Sequence, residues 1–197
     1  MRYLATQYGC KVAGIDLTEE YISIGKTLTQ MVGLSDRVEL RHGSALEIPY
    51  EDERFDKVWT EHVQMNIADK NRFYAEIERV LKPGGRLLFH DIFRGPGDPP
   101  LYPTPWAEDE SMSTLATETE ACSIIEQAGL GIDQWLVKDK ESIEHFKKKA
   151  AQFQADGPPP ISTHLLMGEN SKNKVQNYIR NLSEGRVSVA LGVAHKK

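Results

Sequence analysis

Several places in this 197-residue chain hold residue types that can do chemistry. Asp16 closes the short apolar run at residues 11–15. A carboxylate at the carboxyl end of a strand in a nucleotide-binding α/β unit can accept hydrogen bonds from both ribose hydroxyls. The plainer alternative is that Asp16 only caps the helix that follows. Glu61 and His62 directly follow a second apolar run. His62 is the candidate general base, because imidazole titrates near neutrality. Glu61 would orient it or bind a cationic substrate; alternatively, His62 satisfies a backbone group at the strand end. Asp91 follows the run Leu87-Leu88-Phe89 and either faces the same cleft or stabilises a turn. Tyr102 and Trp106 lie in a proline-rich stretch at 94–106. They either wall a substrate site, where they could hold an amine by cation–π contact, or pack that loop. His42, His90, His145, His164 and His195 show no ligand-like spacing, so no metal is expected.

The elements that position these residues follow from periodicity. Residues 2–8 read as a helix stopped by Gly9, and 11–15 as a buried strand. Thr18 is placed to cap a helix on which Tyr21, Ile24, Leu28 and Met31 form one face, ended by Gly33. Residues 38–41 alternate like a strand, and 55–59 read as another. Asp69 begins a helix with Phe73, Ile77, Val80 and Leu81 on one side, and Lys82-Pro83-Gly84-Gly85 stops it. A strand is expected at 86–92, and Thr117 to Glu120 is a capping box for a helix ended by Gly129. A strand at 132–137, helices at 141–154 and 172–184 separated by the 157–160 break, and a strand from 187 complete the chain. Alternating strands and helices predict a doubly wound, mostly parallel sheet, with ligands outside the carboxyl ends of its strands. The last two helices break the alternation and read as a lid over those ends, or as padding for the sheet. One domain, 1–197, is expected: a core over 1–138, the helical insertion over 139–186 and a last strand over 187–197.

Composition narrows the function. A net charge of −5 argues against a dedicated nucleic-acid binder, which needs a basic surface. The basic run Lys147-Lys148-Lys149 stands near Glu141 and Glu144 and reads as a solvated helix face. The two cysteines have no metal-like or disulfide-like spacing, which fits a cytoplasmic location. No apolar run is long enough for a membrane span, and the start has no secretory signal core. A homodimer is left open.

The segment Gly43-Ser44-Ala45-Leu46-Glu47-Ile48-Pro49-Tyr50-Glu51-Asp52, then Phe55-Asp56-Lys57-Val58-Trp59, then Arg79-Val80-Leu81-Lys82-Pro83-Gly84-Gly85, follows the Asp-ended strand in that order. This series resembles class I S-adenosylmethionine (SAM) dependent methyltransferases. It is most similar to the subgroup with sarcosine/dimethylglycine N-methyltransferases and quinone-biosynthesis C-methyltransferases. The resemblance spans roughly 1–138. The remainder resembles only C-terminal parts of bacterial members, through Tyr102 to Ala107 and Arg180 to Arg186. It implies that Asp16 binds the ribose and that Leu17 lies beside the adenine. Ser44 stands where many relatives have the Asp that meets the adenine amino group. Ala45 would supply a backbone donor to the ring, and Leu46 would flank it. Glu61 and His62 match positions lining the methyl-transfer cleft, with Glu61 counted among the cofactor contacts as well.

One departure from the family is large. The glycine fingerprint belongs about 20 residues before Asp16, which runs off the start of the sequence. An N-terminally truncated sheet lacking its first strand is therefore expected. Either Met1 is not the true start, or the chain is a fragment, or the strands at 11–15 and 55–59 close on each other. The expected activity is methyl transfer from SAM to a small molecule, an amine or an enolisable ring compound. The alternatives are an NAD-binding Rossmann oxidoreductase and a non-catalytic methyltransferase-like subunit or fragment.

Overall fold

The computed structural model describes residues 1–157 and 159–197. Pro158, inside the break expected between the last two helices, lies outside the described residues. The chain divides into two compact units, Met1–Arg54 and Phe55–Lys197.

In the first unit α1 (Arg2–Tyr8) ends at Gly9, whose φ of 66° is the left-handed cap that glycine adopts without penalty. Strand β1 (Val12–Asp16) lies parallel to β2 (Val38–His42), with Asp16 opposite His42, and α2 (Glu19–Met31) connects them. Ala5, Ile22, Val38 and Leu40 form the core, with Val12 and Leu34 packed against it. The apolar stripe expected along α2 is not its buried side. Tyr21, Ile24, Leu28 and Met31 are exposed, whereas Ile22 and Thr29 are buried. Gly25 explains the choice: an added Cβ there would stand 2.9 Å from the Leu40 side chain, so α2 sits close to β2 along the 22–25–29 line. Helical period picks out the apolar stripe, but not the small-residue side that a close approach to β2 requires.

The second unit holds a four-stranded sheet in the order β3-β4-β6-β5. Its strands are β3 (Phe55–Glu61), β4 (Leu81–Arg94), β5 (Leu130–Val137) and β6 (Val187–Lys196). β3, β4 and β5 run in one direction and β6 alone is antiparallel to its neighbours, so the sheet is mostly parallel as expected. β1 pairs with β2 in the first unit and β3 with β4 in the second.

The register of β3 on β4 jumps from Phe55–Leu81 to Lys57–Arg86. The Pro83-Gly84-Gly85 element thus forms a bulge inside β4 as well as ending α3 (Lys70–Val80). Gly84 takes a φ of 70° there. Asp69 caps α3 by accepting the Arg72 N–H at 2.9 Å, and the expected Thr117–Glu120 capping box opens α4 (Glu118–Gln127). Phe89 lies across Gly192 of β6, where a Cβ would stand 1.9 Å from the ring, so only glycine fits.

The C-terminal helices α5 (Asp139–Asp156), α6 (Thr163–Met167) and α7 (Ser171–Ser183) precede β6. Tyr178 and Leu182 of α7 join Met65, Ile92, Val187 and Val189 in one apolar cluster, with Ile143 and Phe146 of α5 packed against it. Among the described residues no helix is long and apolar enough to cross a membrane.

Candidate functional site

The first unit gathers one set of candidates at the carboxyl end of its parallel pair. β1 delivers Asp16 and Leu17, and β2 delivers the turn that carries Ser44, Ala45 and Leu46. Two hydrogen bonds join the strand ends: Gly43 N–H donates to the Asp16 carbonyl at 3.0 Å, and His42 Nε2 donates to the Leu17 carbonyl at 3.0 Å. Residues nearly thirty positions apart in sequence are thereby neighbours.

Their free valences are specific. Asp16 is half-buried, and its Oδ1 accepts the Thr18 N–H at 2.8 Å. This is the local role that sequence left open, yet it uses only part of a carboxylate with about four lone-pair sites. The other oxygen meets no donor among the described residues. Thr18 stands at the N-cap of α2 without a side-chain cap. Ser44 Oγ accepts the Leu46 N–H at 3.1 Å, and the turn closes through Glu47 N–H to the Ser44 carbonyl at 3.2 Å. Ala45 N–H has no acceptor among the described residues. Leu17 is 71% exposed, an apolar side chain held in water beside two polar groups with capacity to spare. A carboxylate oxygen without a donor, a backbone N–H without an acceptor and an exposed apolar side chain, all among the described residues, are groups of the types that a nucleoside fits.

The second unit builds a different site at the ends of β3 and β4. The register sets Glu61 opposite His90. Glu61 Oε1 lies 3.7 Å from His90 Nδ1, and the His62 and His90 rings are 4.6 Å apart between centroids. His62 adopts φ 53°, a left-handed conformation that non-glycine residues enter at a steric cost. Its N–H donates to the His90 carbonyl at 2.9 Å, and the next two N–H groups, of Val63 and Gln64, both donate to Asp91 Oδ2 at 3.1 Å. Those bonds hold the strained turn. His62 remains accessible, but packing strips part of its hydration and lowers its pKa from the usual imidazole value. The neighbouring His90 lowers it further, while Glu61 opposes both.

Asp91 is a correction to the expectation of a substrate contact. Its exposure is 0%. Besides the two bonds to Oδ2, Oδ1 accepts the Ile92 N–H at 3.0 Å. Burial pushes its carboxyl upward in pKa, and the N–H groups of Gln64, Ile92 and Val63 pull it back. β4 runs on to Arg94, so Asp91 lies within the strand and alternation gives it the same side as the buried Phe89 and Phe93. The same alternation turns His90, which sequence reasoning passed over, to the other side. Aligning the ends of the two parallel strands would have paired it with Glu61.

Tyr102 and Trp106 are both half-buried. The Trp106 indole N–H donates to Ser113 Oγ at 3.0 Å, and its ring meets Tyr178 edge to face at 5.9 Å. Trp106 is thus packed in the way the plainer sequence reading describes. The loop is strapped to α7: Asn181 donates to the Leu101 carbonyl and accepts its N–H, at 2.9 and 2.8 Å, and Asn177 donates to the Pro103 carbonyl at 2.9 Å. On its other side Asn66 donates to the carbonyls of Trp106 and Met112 at 3.0 and 2.8 Å. An open hollow of about 550 Å³, lined among others by Lys70, Thr114 and Glu120, contains none of the predicted site residues. The Lys70 ammonium there is already bonded to the carbonyls of Gln64, Ile67 and Thr114.

Residues 1–89 match the family model described as a methyltransferase domain. A glycine/sarcosine/dimethylglycine N-methyltransferase of Actinopolyspora halophila is 39% identical over 90 residues, which is 46% of this chain and 16% of that protein. A sarcosine/dimethylglycine N-methyltransferase of Halorhodospira halochloris is 30% identical over 116 residues, 59% of this chain and 42% of that protein. The matches thus span well under half of these curated relatives. The fold is shared more widely. The geranyl diphosphate C-methyltransferase of Streptomyces coelicolor A3(2), solved with Mg2+, geranyl diphosphate and S-adenosyl-L-homocysteine, superposes with a TM-score of 0.81 at 16% identity. That superposition covers 100% of this chain and 66% of the other.

Proposed function

We propose that this chain, matched as a methyltransferase domain over residues 1–89, is a class I SAM-dependent methyltransferase that methylates a small-molecule acceptor, an amine or an enolisable ring compound. The observation that carries the proposal is the convergence of Asp16, Leu17, Ser44, Ala45 and Leu46 at one end of the β1–β2 pair, with acceptor and donor capacity left over. Asp16 accepts the ribose hydroxyls, the Ala45 N–H donates to the adenine ring, and Leu17 and Leu46 cover its faces. Ser44 accepts from the adenine amino group more weakly than an Asp would. SAM, when bound, supplies a methyl group already activated on a sulfonium sulfur.

The protein then has to orient the acceptor and keep water away. Glu61 and His62 line the acceptor side. Asp91 is a positioning residue that fixes the turn carrying His62, and Tyr102 faces the acceptor from the strapped loop. Helices α5 and α7 serve as the lid. The relatives named above act on small molecules by their names, and a net charge of −5 supports a small acceptor over a nucleic acid. Two unpaired cysteines, Cys10 and Cys122, support a cytoplasmic setting.

Thermal unfolding of the full chain with SAM, S-adenosylhomocysteine or NAD tests the reading. Protection by the first two and none by NAD is expected. Protection by NAD alone would return the chain to the oxidoreductases, and protection by none would favour a non-catalytic subunit.

A further inference from the structure

We propose that Glu61, His62 and His90 bind one divalent transition-metal ion and leave a coordination position open for an oxygen atom of the acceptor. Only the last clause rests on the reading of this strand end as the acceptor side. The metal site itself stands on geometry. Each of the three residues offers one ligand atom, and these atoms lie within 4.8 Å of one another.

Three features of the fold assemble the group. Parallel pairing places Glu61 beside His90. The left-handed backbone at His62 reverses the chain just past the strand, so that its ring returns to within 4.6 Å of the His90 ring. The buried carboxylate of Asp91 holds the two following N–H groups and so fixes that reversal. A strained conformation held by a buried carboxylate marks a position whose side-chain direction matters. The ligand side chains stay reachable, with Glu61 59% and His90 27% exposed.

The donor types select the ion. Magnesium and calcium take oxygen ligands, whereas two imidazoles and one carboxylate suit zinc, cobalt, nickel or iron. Three protein ligands make an open site of the catalytic kind, in contrast to a closed structural one with four. A carboxylate, enolate or phenolate oxygen would complete the coordination, and the ion would favour its ionised form. Among the acceptors proposed above, this selects the oxygen-bearing, enolisable class. It also reassigns His62: an imidazole nitrogen bound to a metal cannot accept a proton, so the residue acts as a ligand in place of a base.

Calorimetric titration of Zn(II) into the full chain tests the site, with Co(II) absorption as a second readout. One ion per chain is expected, with a ligand-field band of a nitrogen-coordinated Co(II). His62→Ala and His90→Ala should each weaken binding at least about tenfold. His90→Gln, which nearly keeps the side-chain volume, should do the same with unchanged circular dichroism and thermal midpoint, so a folding defect is distinguished from ligand loss. His195→Ala removes an imidazole paired elsewhere, with Asp133 at 2.7 Å, and should leave binding unchanged. Salicylate should shift the Co(II) band if a coordination position is open.

Absent or non-saturable binding, equal affinity in the His62 and His90 variants, or loss in the His195 variant would overturn the site. No shift with salicylate would overturn the open position. S-adenosylhomocysteine binding, measured on the same samples with and without EDTA, separates the two proposals. Nucleoside binding without zinc binding overturns the metal site alone, and zinc binding without nucleoside binding overturns the donor reading alone.

Discussion

The carboxyl ends of the two parallel strand pairs solve different problems with similar residues. At the β1–β2 end, Asp16 is half-buried, bonds one local N–H, and keeps acceptor capacity for a partner outside the chain. At the β3–β4 end, Asp91 is fully buried and its carboxylate accepts three N–H groups of the chain itself. One aspartate is left available for recognition and the other is committed to architecture, where it sets the direction of the accessible His62. A carboxylate near a strand end is therefore not a site by type alone. Whether its lone pairs are already occupied decides which role it has.

The largest expected effect sharpens that contrast on the architectural side. Asp91→Ala strands the N–H groups of Val63, Gln64 and Ile92 in a dry interior, at about 1–3 kcal/mol for each group left unsatisfied and only partly additive. A loss of about 2–5 kcal/mol in urea unfolding is expected. A loss under ~1 kcal/mol would show that the turn holds itself and would erase the distinction from Asp16.

Asn181→Ala comes next. Its side chain makes both bonds to Leu101, so about 1–3 kcal/mol should be lost. Proteolysis within 94–106 should rise with that loss if the strap is what orders the loop.

On the recognition side, Leu17→Ser removes an exposed side chain. Stability should stay within about 0.5 kcal/mol, while S-adenosylhomocysteine binding should weaken by about 0.5–1 kcal/mol from lost apolar contact. Reduced stability with unchanged binding would place Leu17 with the architectural residues instead.

The smallest effect is a slope. Asp139 accepts the Val189 N–H at 2.7 Å and lies 3.2 Å from the Ser188 hydroxyl, which also donates to Glu118 at 2.7 Å. Burial raises the Asp139 carboxyl, and Glu118 and Glu141 add to the rise, against the bonds from Val189 and Ser188. A carboxyl raised on folding binds its proton more tightly in the folded state. Its contribution is therefore fully present below the unfolded value of about 3.9 and is lost as pH climbs through the raised folded value. Asp139→Asn should flatten the stability–pH curve across that window. An unchanged slope would show that another group titrates there.

The sequence revealed more of the first end than of the second, for a physical reason. Asp16, Leu17 and the Ser44–Leu46 turn each directly follow a short strand, and strand ends are legible from apolar runs. The second end depends on quantities a single sequence does not print. His90 becomes a neighbour of Glu61 only through parallel register, and Asp91 turns inward only because β4 runs to Arg94, past the expected end at 92. The α2 stripe failed differently. The buried side, along Ile22, Gly25 and Thr29, is the less apolar of the two, and the close approach at Gly25 sets it against β2. Capping signals at Gly9, Asp69 and Thr117 are legible because a cap is local chemistry, complete within four residues.

Donor recognition at the β1–β2 end depends most directly on the unused acceptor capacity of Asp16. Calorimetric titration of S-adenosylhomocysteine into the wild-type chain and into Asp16→Ala measures it. The expected result is weaker binding in the variant by about 1–3 kcal/mol, roughly 5- to 150-fold, with unfolding stability lowered by about 1 kcal/mol from the lost Thr18 N–H bond. Equal affinity in the two proteins would contradict it.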